Sequence, residues 1–160
     1  MQIQIQIQIQ IRDARLHELN QIAEIALQAY APYVAVIGRE PAPMRADFTH
    51  HFHHDQILIA QDEGSGDVIG YAVLIEKQGQ SWLENIAVLP SYGRKGVGRA
   101  LIAHLESRLA AYRTEYHLYT NSAMTGNIRW YQQLGFEEVG RATQDGFSRV
   151  FFRKSLKNRC

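Results

Sequence analysis

The sequence predicts an α+β fold built on a mostly antiparallel sheet. Three observations carry this. Between positions 57 and 89, runs of β-branched, aliphatic and aromatic residues are broken by glycine-containing turns, the pattern of an antiparallel meander. From Gly96 the apolar spacing lengthens to helical, with Val97, Leu101, Leu105, Leu109 and Tyr112 on one face. Across the 160 residues no linker and no repeat appears beyond an opening Gln-Ile tract, so residues 1–160 read as one domain.

The elements follow in order. Ile3, Ile5, Ile7, Ile9 and Ile11 alternate with glutamines and give one apolar strand face. Residues 1–10 are the low-complexity start of that strand. An uncharged, β-prone edge of this kind can pair with its own copy, which would make a homodimer. Asp13 is placed to cap a helix whose buried face holds Leu16, Leu19, Ile22, Ala23, Ala26, Leu27 and Tyr30. Residues 31–46 contain Pro32, Gly38, Pro41 and Pro43 and read as a long loop with a short second helix, a kind of segment that often carries function. Strands are expected over 57–60, 68–76 and 82–89, the last stopped by Pro90. A strand over 116–120, a helix over 125–134 ended by Gly135, and strands over 136–140 and 148–154 joined at Asp145-Gly146 complete the chain. Residues 155–160 form a basic tail.

Composition excludes several functions. Lys and Arg number 17 against 16 Asp and Glu, so no overall positive field argues for nucleic acid. The single cysteine, Cys160, excludes an intramolecular disulfide and a C-x-x-C site. No apolar run reaches a membrane span and no secretory leader pattern is seen, which leaves the cytoplasm as the expected compartment. His50, His51, His53 and His54 invite a metal reading, but no carboxylate or cysteine at ligand spacing completes a site. They read as a solvated helix face, and no metal is expected.

The most informative stretch is Leu89-Pro90-Ser91-Tyr92-Gly93-Arg94-Lys95-Gly96-Val97-Gly98-Arg99-Ala100-Leu101, which joins a strand to a helix. Glycines let backbone approach a ligand, and the N–H groups at a helix start attract anions. Together they suit a pyrophosphate, with Arg94, Lys95 and Arg99 adding positive charge. The same glycines would also serve a tight turn alone. A Walker A loop would need Lys where Arg99 stands, and a dinucleotide loop would need Gly where Leu101 stands.

The stretch resembles the acetyl-CoA loop of the GNAT superfamily of N-acetyltransferases, Q/R-x-x-G-x-G/A after a strand ending V-x-P. Val88-Leu89-Pro90 matches the strand end, and Gly96 and Gly98 match the small positions. Gly93 departs from the family's Gln or Arg, with Arg94 beside it. Tyr131-Gln132-Gln133-Leu134-Gly135-Phe136 is similar to a second family pattern, Y-x-x-L/x-G-F. Leu118-Tyr119-Thr120-Asn121, the run from Met124 to Ile128, and the ending from Asp145 to Lys154 are similar to a group of small GNAT proteins. The resemblance spans about Ile11 to Leu156.

It implies a mixed, mostly antiparallel sheet with a splayed parallel pair, flanked by about four helices. It implies an acyltransferase that moves an acetyl group from acetyl-CoA directly to a primary amine of a small molecule, a protein N-terminus or a lysine. Glu84 would take the amine proton and Tyr131 would protonate the leaving thiolate. Backbone of Ile86, Ala87 and Val88 would meet the thioester. Arg94, Lys95, Gly96, Val97, Gly98, Arg99, Ala100 and Asn127 would hold the rest of acetyl-CoA. The acceptor pocket is expected from residues 30–55 and 141–148. Tyr30, Tyr33, Arg39 and Phe147 would touch the acceptor, with Arg45, Phe48 and Arg141 nearby. Such a lining suits an acceptor that bears a carboxylate beside its amine. By strand parity Asn85 faces away from Glu84. Plainer roles stay open: an outward polar residue for Glu84, core packing for Tyr131, and a CoA-binding module without turnover for the whole chain.

Overall fold

The computed structural model describes residues 7–156. The start of the Gln-Ile tract and the end of the basic tail with Cys160 lie outside the described residues. The alternating isoleucines continue into β1 (Ile9–Asp13), an edge strand paired antiparallel with β2 (Gln56–Asp62). A 3-10 turn at Leu16–Glu18 leads into α1 (Leu19–Tyr30). Asp13 does not cap this helix; it ends β1 and pairs with Arg108 at 2.8 Å. The cap comes from inside the turn instead. The Glu18 carboxylate accepts the Arg15 backbone N–H at 2.8 Å and is gripped by both terminal nitrogens of Arg12 at 2.9 and 2.7 Å.

The proline-containing segment then folds as two short pieces, α2 (Tyr33–Ile37), closed by Gly38 at φ +87°, and a 3-10 turn at Ala42–Arg45. The histidine run forms α3 (Phe48–His54), capped by the Asp47 carboxylate on the His50 N–H. Strands β2, β3 (Val68–Lys77) and β4 (Gln80–Val88) make the expected meander. After the glycine-rich turn come α4 (Val97–Leu109), β5 (Glu115–Asn121), α5 (Thr125–Gln133), β6 (Glu137–Gln144) and β7 (Phe147–Ser155). Five α-helices are therefore described rather than about four, because α2 and α3 each form from a short stretch. Tyr112 lies beyond α4, exposed, and its hydroxyl donates to Glu76.

The seven strands form one sheet in the order β1-β2-β3-β4-β5-β7-β6. Each neighbouring pair is antiparallel except β4 with β5. Leu101, Leu105 and Leu109 of α4 and Tyr131 of α5 pack on one face of the sheet with Leu83, Leu118 and Phe152. Ile22 and Ile25 of α1 and Phe48 of α3 pack on the other with Ile59, Tyr71 and Val73. The buried Glu106 carboxylate ties α4 to the far strands, accepting from the Tyr116 hydroxyl at 2.6 Å and from Lys154 at 2.7 Å.

Two features position the site. The parallel pair β4–β5 has only two registered partners, Trp82 with His117 and Leu83 with Leu118, and then separates. At the same point β4 carries a bulge: Leu83 opposes Leu74 and Asn85 opposes Val73, so Glu84 is an extra residue. Side-chain parity inverts across it. Leu83 faces the α4 core, and beyond the bulge it is Ile86 and Val88 that do so. Asn85 and Ala87 turn to the α1 face.

Gly70 of β3 lies where α4 begins, and a β-carbon there would stand 3.1 Å from the Ala87 carbonyl oxygen and 3.2 Å from Val97 Cγ1. Gly70→Ala should therefore destabilise the fold by about 1–3 kcal/mol in denaturant titration, as overpacking does. The Arg12 hydrogen bonds hold the Glu18 carboxyl below its ordinary 4.5. This contribution is complete above that value and is lost as pH falls through the lower folded value. Glu18→Gln should flatten the loss of thermal stability with falling pH in that acid range.

Candidate functional site

Two cavities flank the place where β4 leaves β5. One, of about 470 Å³, runs along the end of β4 and the start of α4. The other, of about 200 Å³, lies under the proline segment and over β5 and β7. They share Tyr30, Ile86, Asn127 and Tyr131 as walls, so they meet across the separated strands.

The larger cavity is built around the turn that leads into α4. Gly96 sits at φ +82° ahead of α4 and its carbonyl accepts the Ala100 N–H at 3.0 Å, the first bond of the helical ladder. The amides of Val97, Gly98 and Arg99 precede that bond and have no ladder partner. Gly98 also accommodates α5: a β-carbon there would lie 3.0 Å from the Trp130 ring. Of the residues expected to hold acetyl-CoA, Ile86, Ala87, Val88, Arg94, Gly96, Val97, Gly98, Arg99 and Asn127 line this cavity. Lys95 and Ala100 do not. The Lys95 ammonium lies 5.2 Å from the Tyr92 ring centre, and the Ala100 amide is spent on Gly96. Tyr33, expected against the acceptor, also lines this cavity and not the smaller one.

Glu84, Tyr30, Tyr131 and Phe147 line the smaller cavity. So does Asn85, contrary to simple parity, because the bulge puts Glu84 and Asn85 on the same face. Asn85 Oδ1 accepts from the hydroxyls of Tyr30 at 3.0 Å and Tyr71 at 2.9 Å, and its Nδ2 donates to the Pro43 carbonyl at 3.2 Å. The Tyr30 hydroxyl also reaches the Ile86 carbonyl at 2.9 Å. Arg39 lines neither cavity. It donates to the Asp145 carbonyl and stacks on the Phe147 ring at 3.4 Å, clasping the proline segment to the β6–β7 turn. Arg45 pairs outward with Glu40, Arg141 with Glu138, and Phe48 packs edge-on to Tyr71 in the core.

The walls that sequence reasoning left without a role include Tyr119, Thr120, Asn121, Met124 and Arg149. Several fall in the stretches that carried the resemblance, which was the available signal. Tyr119 donates its O–H to Glu84 at 3.1 Å, and burial, with the Glu84 charge next, pushes its phenol up to about 12. Burial also raises the Tyr131 phenol, and no hydrogen bond to its hydroxyl is found among the described residues. His51 touches the cavity while its Nδ1 lies 2.8 Å from Asp55. The His50 and His54 rings face each other at 4.5 Å, and among the described residues no three His, Cys, Asp or Glu side chains gather as a metal site. No described helix is long and apolar enough to cross a membrane.

Residues 53–138, more than half of the chain, match the family model of the GNAT acetyltransferase domain. Among solved structures, PaiA N-acetyltransferase from Thermoplasma acidophilum in complex with coenzyme A is 18% identical, with a TM-score of 0.75 over 93% of this chain and 99% of its own. The ribosomal-protein-S18-alanine N-acetyltransferase from Escherichia coli is 20% identical, with a TM-score of 0.70 over 96% and 97%. YncA from Salmonella typhimurium with its cofactor acetyl-CoA is 20% identical, with a TM-score of 0.71 over 96% of both chains. No curated protein matches significantly. The structures show a shared fold, and the match over residues 53–138 shows the kinship: the chain belongs to the GNAT acetyltransferases, acyl-transferring enzymes whose cosubstrate is acetyl-CoA.

Proposed function

We propose that the protein transfers an acetyl group from acetyl-CoA directly to the primary amine of a small molecule or of a protein N-terminus or lysine. The observation that carries this is the shared wall: Ile86, Asn127 and Tyr131 border both cavities, so a thioester in one can meet an amine in the other. The larger cavity fits the cosubstrate's pyrophosphate chemically. It presents the three leading amides of α4, and its walls include Arg94 and Arg99. Arg94 lines it beside Gly93, where the family prefers a long polar side chain.

The protein's residues then meet three requirements. An alkylammonium leaves only about one molecule in a few thousand unprotonated at pH 7, so the amine must be deprotonated. Glu84 uses one oxygen for Tyr119 and offers the other to the amine, directly or through water. Amides from Ile86 to Val88 stabilise charge on the thioester oxygen. As the C–N bond forms and the C–S bond breaks, the amine proton leaves through Glu84 and the thiolate takes a proton from Tyr131. Burial keeps that phenol protonated and therefore a donor.

The second reading, a module that binds CoA without turnover, is favoured by Gly93 alone. The kinetics separate the two. Tyr131→Phe should lower kcat about 100-fold with acetyl-CoA affinity within about twofold of wild type, measured by thiol release and calorimetry. Unchanged kcat would remove Tyr131 as the acid. Glu84→Gln should lower kcat/KM most below the amine's own pKa and least above it. In the wild type, activity should rise with pH with no falling limb from Tyr131 up to about pH 10, since its phenol is raised above the ordinary value. Saturable acetyl-CoA binding without thiol release on any amine would establish the non-catalytic module.

A further inference from the structure

The smaller cavity holds a cation that the transfer chemistry does not use. Arg149, on β7, is 9% exposed and forms part of the cavity wall. Its Nη1 donates to the Gln144 side-chain oxygen at 2.9 Å, and its guanidinium carbon lies 4.5 Å from the Tyr119 ring centre and 5.7 Å from that of Phe147. The arginines paired with carboxylates are Arg12, Arg45, Arg108, Arg113 and Arg141; among the described residues Arg149 has no such partner. Ring faces and one neutral amide compensate a buried guanidinium incompletely. No buried side-chain nitrogen among the described residues lacks a partner, so the N–H groups of the fork that are not bonded to Gln144 keep accessible surface, and Arg149 is a wall of the cavity. A planar fork in that state matches a carboxylate in two parallel hydrogen bonds.

Tyr119 stands between this cation and Glu84: its ring carries Arg149 and its hydroxyl donates to Glu84. The cavity is thus negative on one side of a single phenol and positive on the other. Its volume, about 200 Å³, is below the ~300–1,000 Å³ typical of pockets for drug-sized ligands. The clasp of Arg39 on Phe147 and the Asn85–Pro43 bond hold the proline segment against the strands. We infer that the acetyl acceptor is a free amino acid or a compound of the same chemistry, its carboxylate on Arg149 and its amine toward Glu84, and not a polypeptide. This rests on the proposed transfer reaction and narrows its substrate.

The test compares each proteinogenic amino acid with its own methyl ester, by thiol release at saturating acetyl-CoA. At least one acid should exceed its ester in kcat/KM by tenfold or more. The ester's amine is the less basic, so the comparison is weighted against this outcome. Arg149→Met should raise KM for that acid at least tenfold and leave its ester and acetyl-CoA affinity within about twofold, while Arg149→Lys keeps part of the preference. The acid-to-ester ratio of the wild type stands as the test even where the Met variant fails to fold. Turnover of esters or simple alkylamines equal to or above that of the acids would overturn the inference and leave amine acetylation standing. Thiol release with none of these amines but with a peptide N-terminus or lysine would overturn the inference alone, and thiol release with no amine of either kind, by protein that binds acetyl-CoA, would overturn both.

Discussion

The site exists because β4 separates from β5. Two parallel strands that stay hydrogen-bonded leave no room for a substrate between them. Here pairing stops after Leu83 and Leu118, and the extra residue at Glu84 turns β4 as it leaves its neighbour. A bulge both ends regular pairing and re-aims side chains. One backbone irregularity thereby frees a gap between strands and puts a carboxylate and a buried amide on the same side of it. The larger and the smaller cavity share walls beside that gap.

The surroundings of the gap are fixed by buried polar contacts. Asn85 binds hydroxyls from α1 and β3 and the carbonyl of Pro43, so one side chain ties helix, sheet and proline segment together. Each of these groups is costly to leave unsatisfied in a closed interior, which makes the arrangement specific as well as stable. Gly70 and Gly98 act by absence of a side chain. The first lets the start of α4 approach the sheet, and the second lets Trp130 of α5 cover it. The turn at the start of α4 is held in place by close packing on both sides.

Much of this was legible in the sequence. The meander, the helix after Gly96 and the Tyr131 helix follow from periodicity and turn chemistry. What was not legible depends on register and on contacts between distant segments. Parity counted along β4 cannot foresee an extra residue, so Asn85 was expected to face away and instead joins the site. Arg39, Arg45 and Arg141 were expected to give the acceptor pocket its positive character, but nearby partners hold all three outside it. The basic residue in the wall is Arg149, on a strand whose place beside β5 no local pattern announces. Asp13 failed as a cap for a similar reason: Glu18, held by Arg12, satisfies the turn from within.

A crystal structure of the protein with acetyl-CoA is the decisive experiment. The pyrophosphate is expected on the leading amides of α4, the thioester beside Ile86 in the gap between β4 and β5, and its sulfur within hydrogen-bond reach of the Tyr131 hydroxyl. A thioester bound away from that gap, out of reach of Tyr131 and with the smaller cavity closed off from it, would mean that acetyl transfer does not take place there.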